Sequence, residues 1–467
     1  MSDEIRLLHH LVDQRRDEMV EALRGCLRIP SKEEPPDGPD APYGRPVRQA
    51  LDYTLHLCER LGFRTRDVDG HAGHAEFGAG GEMIAALGHL DVVPEGDGWT
   101  HPPFGAEVHD GFIYARGAAD DKGPTYAALY GAKALMDSGL PLRRRVRIIF
   151  GCNEESGFGC VKHYWGKAAE ERPVLAFTPD ARFPLIYAEK GIAILVLERP
   201  LPREAAGARV VRASGGLRAN MVPDSAEARI EGDPASLYGV LAALVSHWDR
   251  NVTVEPDLGG IRVRAVGRSA HGSTPEAGDN AVARLARALA EAGLEADSPW
   301  LKWAAESADV AGTRLGIRGE DAVAGPLTNN LGILDASGGR VRLTHNIRYP
   351  VTWTIQQILE RLRPVVEEAG WTLAEWTDSP PLHVPLDTEP ARTLLEVYQQ
   401  ETGDLESRPG TMGGGTYARA TPHAVAFGAS FPEGGDGPAH EPDERISIER
   451  LVRACKIYAH ALYALAR

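Results

Sequence analysis

The sequence predicts an α/β sheet with covered faces, followed by a region of α+β texture. Three observations carry that prediction. Short apolar runs alternate with a helical pattern early in the chain: MIAALGHL (83–90), PTYAALYGAKALM (124–136), VRIIF (146–150) and VLAF (174–177) read as strand, helix, strand and strand. After about residue 186 the pattern becomes strict alternation, as in IRVRAVG (261–267), a half-exposed strand. Helical spacing returns beyond the proline-rich stretch DSPPLHVPLDTEP (378–390). A chain of 467 residues is too long for one compact core and calls for two domains.

The remaining elements follow in order. Leu8, Leu11, Val12, Met19, Val20, Leu23 and Leu27 keep a helical spacing that stops before Pro30. Residues 31–46, rich in Pro, Gly and acid, read as a surface loop. RRRVR at Arg143–Arg147 leads straight into an apolar run and reads as the solvated start of a strand. DNAVARLARALAEAG (279–293) is an amphipathic helix. TEPARTLLEVYQQETG places a proline near a helix start and Gly403 after its end. ISIERLVRACKIYAHALYALA closes the chain as an amphipathic helix.

Composition excludes several functions. A net charge of −15 without a long basic run argues against nucleic acid as partner, since neutralising phosphates needs clustered Lys and Arg. No segment reaches the roughly 18 apolar residues of a membrane span. The N-terminus MSDEIRLLHH is acidic and has no apolar signal region. Five cysteines, an odd number without zinc-finger spacing, fit a reducing compartment, and the cytoplasm is the expected location.

The chemistry gathers at strand ends. MIAALGHLDVVP carries His89 and Asp91, FIYARGAADDKG carries Asp120 and Asp121, VRIIFGCNEESG carries Glu154 and Glu155, and VLAFTPD carries Asp180. Ligands of α/β sheets collect beyond the carboxyl ends of the strands. Acids and an imidazole meeting there repel one another without a counter-charge, which a di-metal centre with a bridging carboxylate supplies. His89 and Asp91, two apart on a strand, point to one face, and Asp91 can take the second ring N–H of a metal-bound His89. Each pair alone also suits a turn or a solvated surface. Together, followed by glycines, they favour the metal.

GHLDVVPEGDGW, YARGAADDKGP, NEESGFG and TPDARFPLIYAEKG resemble the successive signature blocks of the co-catalytic di-zinc peptidases, a family of glutamate carboxypeptidases, aminoacylases, desuccinylases and carnosine-type dipeptidases. The resemblance covers essentially the whole chain and is strongest to the bacterial dipeptidase V branch. It implies a zinc-peptidase-like catalytic domain, a mixed sheet flanked by helices, formed by residues 1–187 and 383–467. An α+β lid of residues 188–382 is inserted between them. It also implies two divalent ions, zinc first and cobalt or manganese as alternatives. His89 and Asp180 would hold one, Glu155 and His440 (in GPAHEPDE) the other, and Asp120 would bridge them. Glu154 becomes the general base, Asp91 the partner of His89, and His271 a lid group for the oxyanion.

For the substrate, the resemblance points to Arg348 in HNIRYPV as the carboxylate-binding group and to Asn220 in RANMVPD near the oxyanion. TMGGGTY, with Gly413, Gly414 and Gly415, can offer backbone N–H groups to the same carboxylate. The expected activity is hydrolysis of short peptides with a free N-terminus, mainly dipeptides, by a monomer. The same metal chemistry serves deacylases and carboxypeptidases of that family. A non-catalytic peptide binder would lack the base or a ligand, and none is missing from this sequence.

Overall fold

Strand Met83–His89 is buried at every position, and its pairing explains why its sequence does not alternate. It runs parallel to Arg145–Gly151 on one side and to Leu175–Thr178 on the other, so both its edges are paired, and helices Lys122–Ser138 and Ile448–Ala466 pack against it. In the computed structural model, which describes residues 2–202, 207–246 and 249–467, the chain divides into two compact units. The first comprises Met1–Tyr187, His383–Gly410 and Gly415–Arg467, the second Ala188–Leu382 and Thr411–Gly414.

The sheet of the first unit is mixed. Ala72–Phe77 pairs antiparallel with Arg145–Gly151, and Arg64–Val68 with Ala72–Phe77. On the other side, Ala424–Ala426 runs parallel to Leu175–Thr178. This late strand brings the C-terminal segment back to the sheet that the first residues built. Helix Lys122–Ser138 packs on the two central strands and against Ile448–Ala466. The two helices approach closely because Gly131 has no side chain: a Cβ there would lie 2.9 Å from the Ala459 nitrogen and 3.0 Å from the Cys455 oxygen.

Two details depart from the sequence reading. The N-terminal helical spacing belongs to two helices, Asp3–Gln14 and Arg16–Leu27. Arg15 between them leaves helical geometry, and its guanidinium donates to Asp137 Oδ2 at 2.7 and 3.0 Å. The basic run before strand Arg145–Gly151 is not simply solvated. Arg147 is buried and donates to Glu76 Oε2 at 2.9 Å and to the Tyr164 hydroxyl at 3.1 Å, while Arg145 reaches Glu76 and Glu171. The acids that neutralise this run come from a neighbouring strand and a following loop, a placement that sequence order does not reveal.

The second unit is an antiparallel sheet with helices packed on it. Its strand order is Val252–Asp257, Gly260–Val266, Ser225–Glu231, Arg209–Gly215, Thr328–Ser337, Arg340–Tyr349, Gly191–Pro200 and Thr372–Ser379. Gly191–Pro200 alternates between buried and half-buried positions, as a strand with one face on a core must. Helix Ala281–Glu291 begins where Asn280 accepts the Ala283 N–H, and it buries Val282, Leu285 and Leu289 in that core.

Replacing Gly131 by Val should lower unfolding stability by about 1–3 kcal/mol through overpacking, read as a drop in the urea midpoint. An unchanged midpoint would contradict this account of the helix contact.

Candidate metal centre

His89, Glu154, Glu155 and Asp180 sit at, or just beyond, the carboxyl ends of strands Met83–His89, Arg145–Gly151 and Leu175–Thr178, whereas Asp120 lies in the turn that opens helix Lys122–Ser138, past a short strand of a separate sheet, and His440 in the loop before strand Arg445–Ser447. His89 ends Met83–His89. Gly88 before it is required: a Cβ there would fall 1.9 Å from Thr125 Oγ1. Thr125 in turn donates to Asp121 Oδ2 at 2.9 Å, and the same oxygen accepts the His89 backbone N–H at 3.3 Å. Asp121 is thus a structural neighbour of the centre.

The His89 ring is fixed from both sides. Its Nδ1 lies 2.9 Å from the Asp91 carbonyl, which can only accept, so the proton sits on Nδ1. This differs from the expectation that the Asp91 carboxylate would be its partner. That carboxylate is 3.6 Å away and instead accepts the backbone N–H groups of Glu154 and Glu155, each at 3.1 Å. Asp91 therefore orients His89 through its backbone and the acid pair through its side chain.

Nε2 of the same ring faces Asp120 Oδ1, 3.1 Å away, and Asp180 Oδ2, 4.0 Å away; the Asp120 hydrogen bond and the neighbouring acids, against desolvation, hold His89 well above its ordinary value, so without a cation Nε2 also carries a proton. On the other side of Asp120, its Oδ2 lies 3.1 Å from His440 Nε2, which is also 3.2 Å from Glu155 Oε1. Acceptors that face each other at such distances need a proton or a cation between them. The residues fit divalent ions on this ground. The donors of His89, Asp120 and Glu155 lie within 4.8 Å of one another, as do those of His89, Glu154 and Asp180.

The electrostatics agree. Burial, with the neighbouring acids adding to it, pushes Glu154 and Asp180 well above the usual carboxylate range. Burial also raises Asp91 to about 6 and Asp121 to about 7. Asp120 is held low against its burial by hydrogen bonds from His440 and His89. His440, despite desolvation, is pushed up to about 11 by Asp120 and Glu155. Among the described residues, Glu154 Oε1 is buried with no hydrogen-bond partner.

Two residues that the sequence reading passed over hold this arrangement. Glu444 is fully buried; its Oε1 accepts the Ala119 and Asp120 backbone N–H groups at 2.8 and 3.1 Å, and its Oε2 accepts Arg116 Nη1 at 2.6 Å. The pair ties the loop of Asp120 to the loop that presents His440. The signal lay in two quoted motifs, the Arg of YARG and the last Glu of HEPDE, but neither is metal-capable by its neighbours.

The second unit carries the other candidates. The His271 Nδ1 lies 2.6 Å from Ser273 Oγ, and the adjacent Gly272 N–H donates to the Asn220 carbonyl at 2.7 Å, so these two candidates share one corner. Arg348 is buried and donates from Nε to Asn346 Oδ1 at 2.7 Å and from Nη1 to the Gly413 carbonyl at 2.6 Å. Gly413 thus presents an acceptor to Arg348, where the sequence reading expected N–H groups for a carboxylate. Gly414 belongs to the same unit and Gly415 to the first. All five cysteines are buried and unpaired, and among the described residues no helix is long and apolar enough to cross a membrane.

Comparison with known proteins gives consistent matches. The model of Peptidase family M20/M25/M40 matches residues 85–464. A Bacillus subtilis (strain 168) protein named "Putative dipeptidase YtjP" is 41% identical over 470 residues, covering 98% of this chain and 99% of that one. Among solved structures, the di-peptidase Dug1p from Saccharomyces cerevisiae aligns with a TM-score of 0.60 at 14% identity, covering 99% of both chains. The Bacillus subtilis YXEP protein, described as a dinuclear metal binding peptidase, aligns with a TM-score of 0.52 at 12% identity, covering 97% and 99%. At these identities the two structures establish the fold.

The raised acids and the raised His440 contribute to the pH dependence of the chelated protein with one sign. A carboxylate whose folded pKa exceeds its unfolded value binds more protons when folded, so stability falls as pH rises through that interval. For Asp91 and Asp121 the interval runs from the ordinary value of 3.8 to about 6 and about 7. Raised His440 has the same sign, its contribution being lost as pH rises toward about 11. Shifted from about pH 7 to pH 5, the chelated protein should gain urea stability from these groups, which outnumber the buried His74 and His345, held down to about 3 and acting with the opposite sign, and saturating zinc at pH 7 should replace that gain. A chelated protein that loses stability over this step would contradict the account.

Proposed function

The chain belongs to peptidase family M20/M25/M40, and from that membership we propose that it is a metal-dependent dipeptidase acting on short peptides with a free N-terminus. The observation that supports the reading is Glu154 Oε1, buried and, among the described residues, without a hydrogen-bond partner, in a carboxylate that converges with His89 and Asp180 next to a second set of His89, Asp120 and Glu155. His89, Asp120 and Asp180 would hold one divalent cation, and Asp120, Glu155 and His440 the other. Imidazole and carboxylate donors suit zinc, with cobalt or manganese as alternatives. Bound, such ions lower the pKa of water and polarise an amide carbonyl.

The chain's own groups do the rest. Glu154 is assigned as the general base: as the carboxylate it accepts a proton from the attacking water at Oε1 and delivers it to the departing amine nitrogen. Asp91 fixes where Glu154 stands, through the two backbone N–H groups it accepts. In the second unit, which we take as a lid, we assign His271, with Asn220 beside it, to the carbonyl oxygen as charge develops on it. Arg348, its guanidinium already oriented by Asn346 and Gly413, is assigned to the peptide carboxylate. A substrate ammonium would complement the acids of the centre. We further propose that the enzyme works as a cytoplasmic monomer.

Two measurements test the reading. Glu154→Gln should keep bound metal and fold while kcat falls about 10²–10⁴-fold, the usual worth of a general base; a variant with more than a tenth of wild-type kcat would refute the assignment. Of a dipeptide, its N-acetylated form and a pentapeptide extended at the C-terminus, the free dipeptide should have the highest kcat/KM. An acetylated compound that proves best would make the protein a deacylase instead.

A further inference from the structure

We propose that His101, Glu107 and His109 form a further divalent-cation site on the surface of the first unit, distinct from the centre at the strand ends. Glu107 and His109 are two apart on strand Glu107–His109 and so share one side of it, and His101 comes from the loop before it. The donor atoms of all three lie within 4.8 Å of one another. Nδ1 of His101 is 3.2 Å, and Nε2 of His109 3.1 Å, from the same oxygen, Glu107 Oε2.

Those distances suit an ion. Two donors at about 2.0–2.1 Å from one tetrahedral zinc lie roughly 3.3 Å apart. The same spacing recurs at the strand ends, where His89 and His440 each stand 3.1 Å from an Asp120 oxygen and His440 stands 3.2 Å from Glu155. Two imidazoles and one carboxylate are a zinc-type donor set, with a fourth position left to water, whereas magnesium and calcium favour oxygen donors.

The triangle is also supported from behind. The His101 ring lies 4.1 Å from the Tyr114 ring, and the His101 backbone N–H donates to Asp443 Oδ1 at 3.2 Å. Asp443 takes the Thr100 hydroxyl at 2.8 Å with its other oxygen. An ion here would join strand Glu107–His109 to the loop of Thr100 and His101, which Asp443 anchors from three residues beyond His440. Its role is therefore to stiffen that loop; no chemistry is assigned to it.

The test is a count of bound zinc after equilibrium dialysis against buffered micromolar zinc, by elemental analysis, in the wild type, Glu107→Ala and His109→Ala. Both side chains are substantially exposed, so circular dichroism should be unchanged. Each variant should bind one zinc fewer per chain than the wild type while keeping its turnover of a dipeptide. Equal counts in all three proteins would overturn this site alone and leave Glu107 as a hydrogen-bond acceptor for two rings. A wild type that binds no zinc would overturn this site and the proposed function together.

Discussion

Asp91, Asp120, Asp121, Glu154, Glu155 and Asp180 crowd the ends of three adjacent parallel strands, with His89 and His440 among them, and their mutual repulsion is the constraint on which the structure turns. Burial alone penalises each charge, and every neighbour adds to the penalty. The chain offers partial relief. Asp120 lies between two imidazoles, Asp91 accepts two backbone N–H groups, and Asp121 accepts a hydroxyl and a backbone N–H. What remains, above all Glu154 Oε1, is a concentration of negative charge that a divalent cation neutralises more effectively than any side chain present.

Holding such a cluster requires rigidity behind it. The central strands are buried over most of their length, Gly88 lets Thr125 reach the chain beside His89, and Gly131 lets the two long helices close on each other. The buried Arg116–Glu444 pair joins segments 325 residues apart or more. A buried ion pair is weak evidence for net stability. Its value here is geometric, because Glu444 grips the backbone N–H of Asp120 and stands four residues after His440.

Much of this was legible in the sequence. Three of the four expected strand ends were visible because apolar runs stop abruptly at acids, and the α+β change near residue 186 because a strand half covered by helices alternates; Asp120 and Asp121 instead open helix Lys122–Ser138, after a short strand of a separate sheet. The split at Arg15 was not, because it depends on an ion pair with Asp137 across the fold. Strand Ala424–Ala426 was missed because three residues carry no periodicity. The Asp91 carboxylate was given to His89 because sequence spacing cannot distinguish a backbone acceptor from a side-chain one. Arg116 and Glu444 are ordinary charged residues in sequence; only their complete burial sets them apart.

The central claim is that the strand-end acids are organised around two cations that share Asp120. Diffraction from zinc-loaded crystals, with anomalous difference maps on both sides of the zinc absorption edge, tests it most directly. The account predicts two peaks flanking Asp120, one ligated by His89 and Asp180 and the other by Glu155 and His440. A single peak in fully loaded protein, or two peaks ligated by other residues, would contradict it.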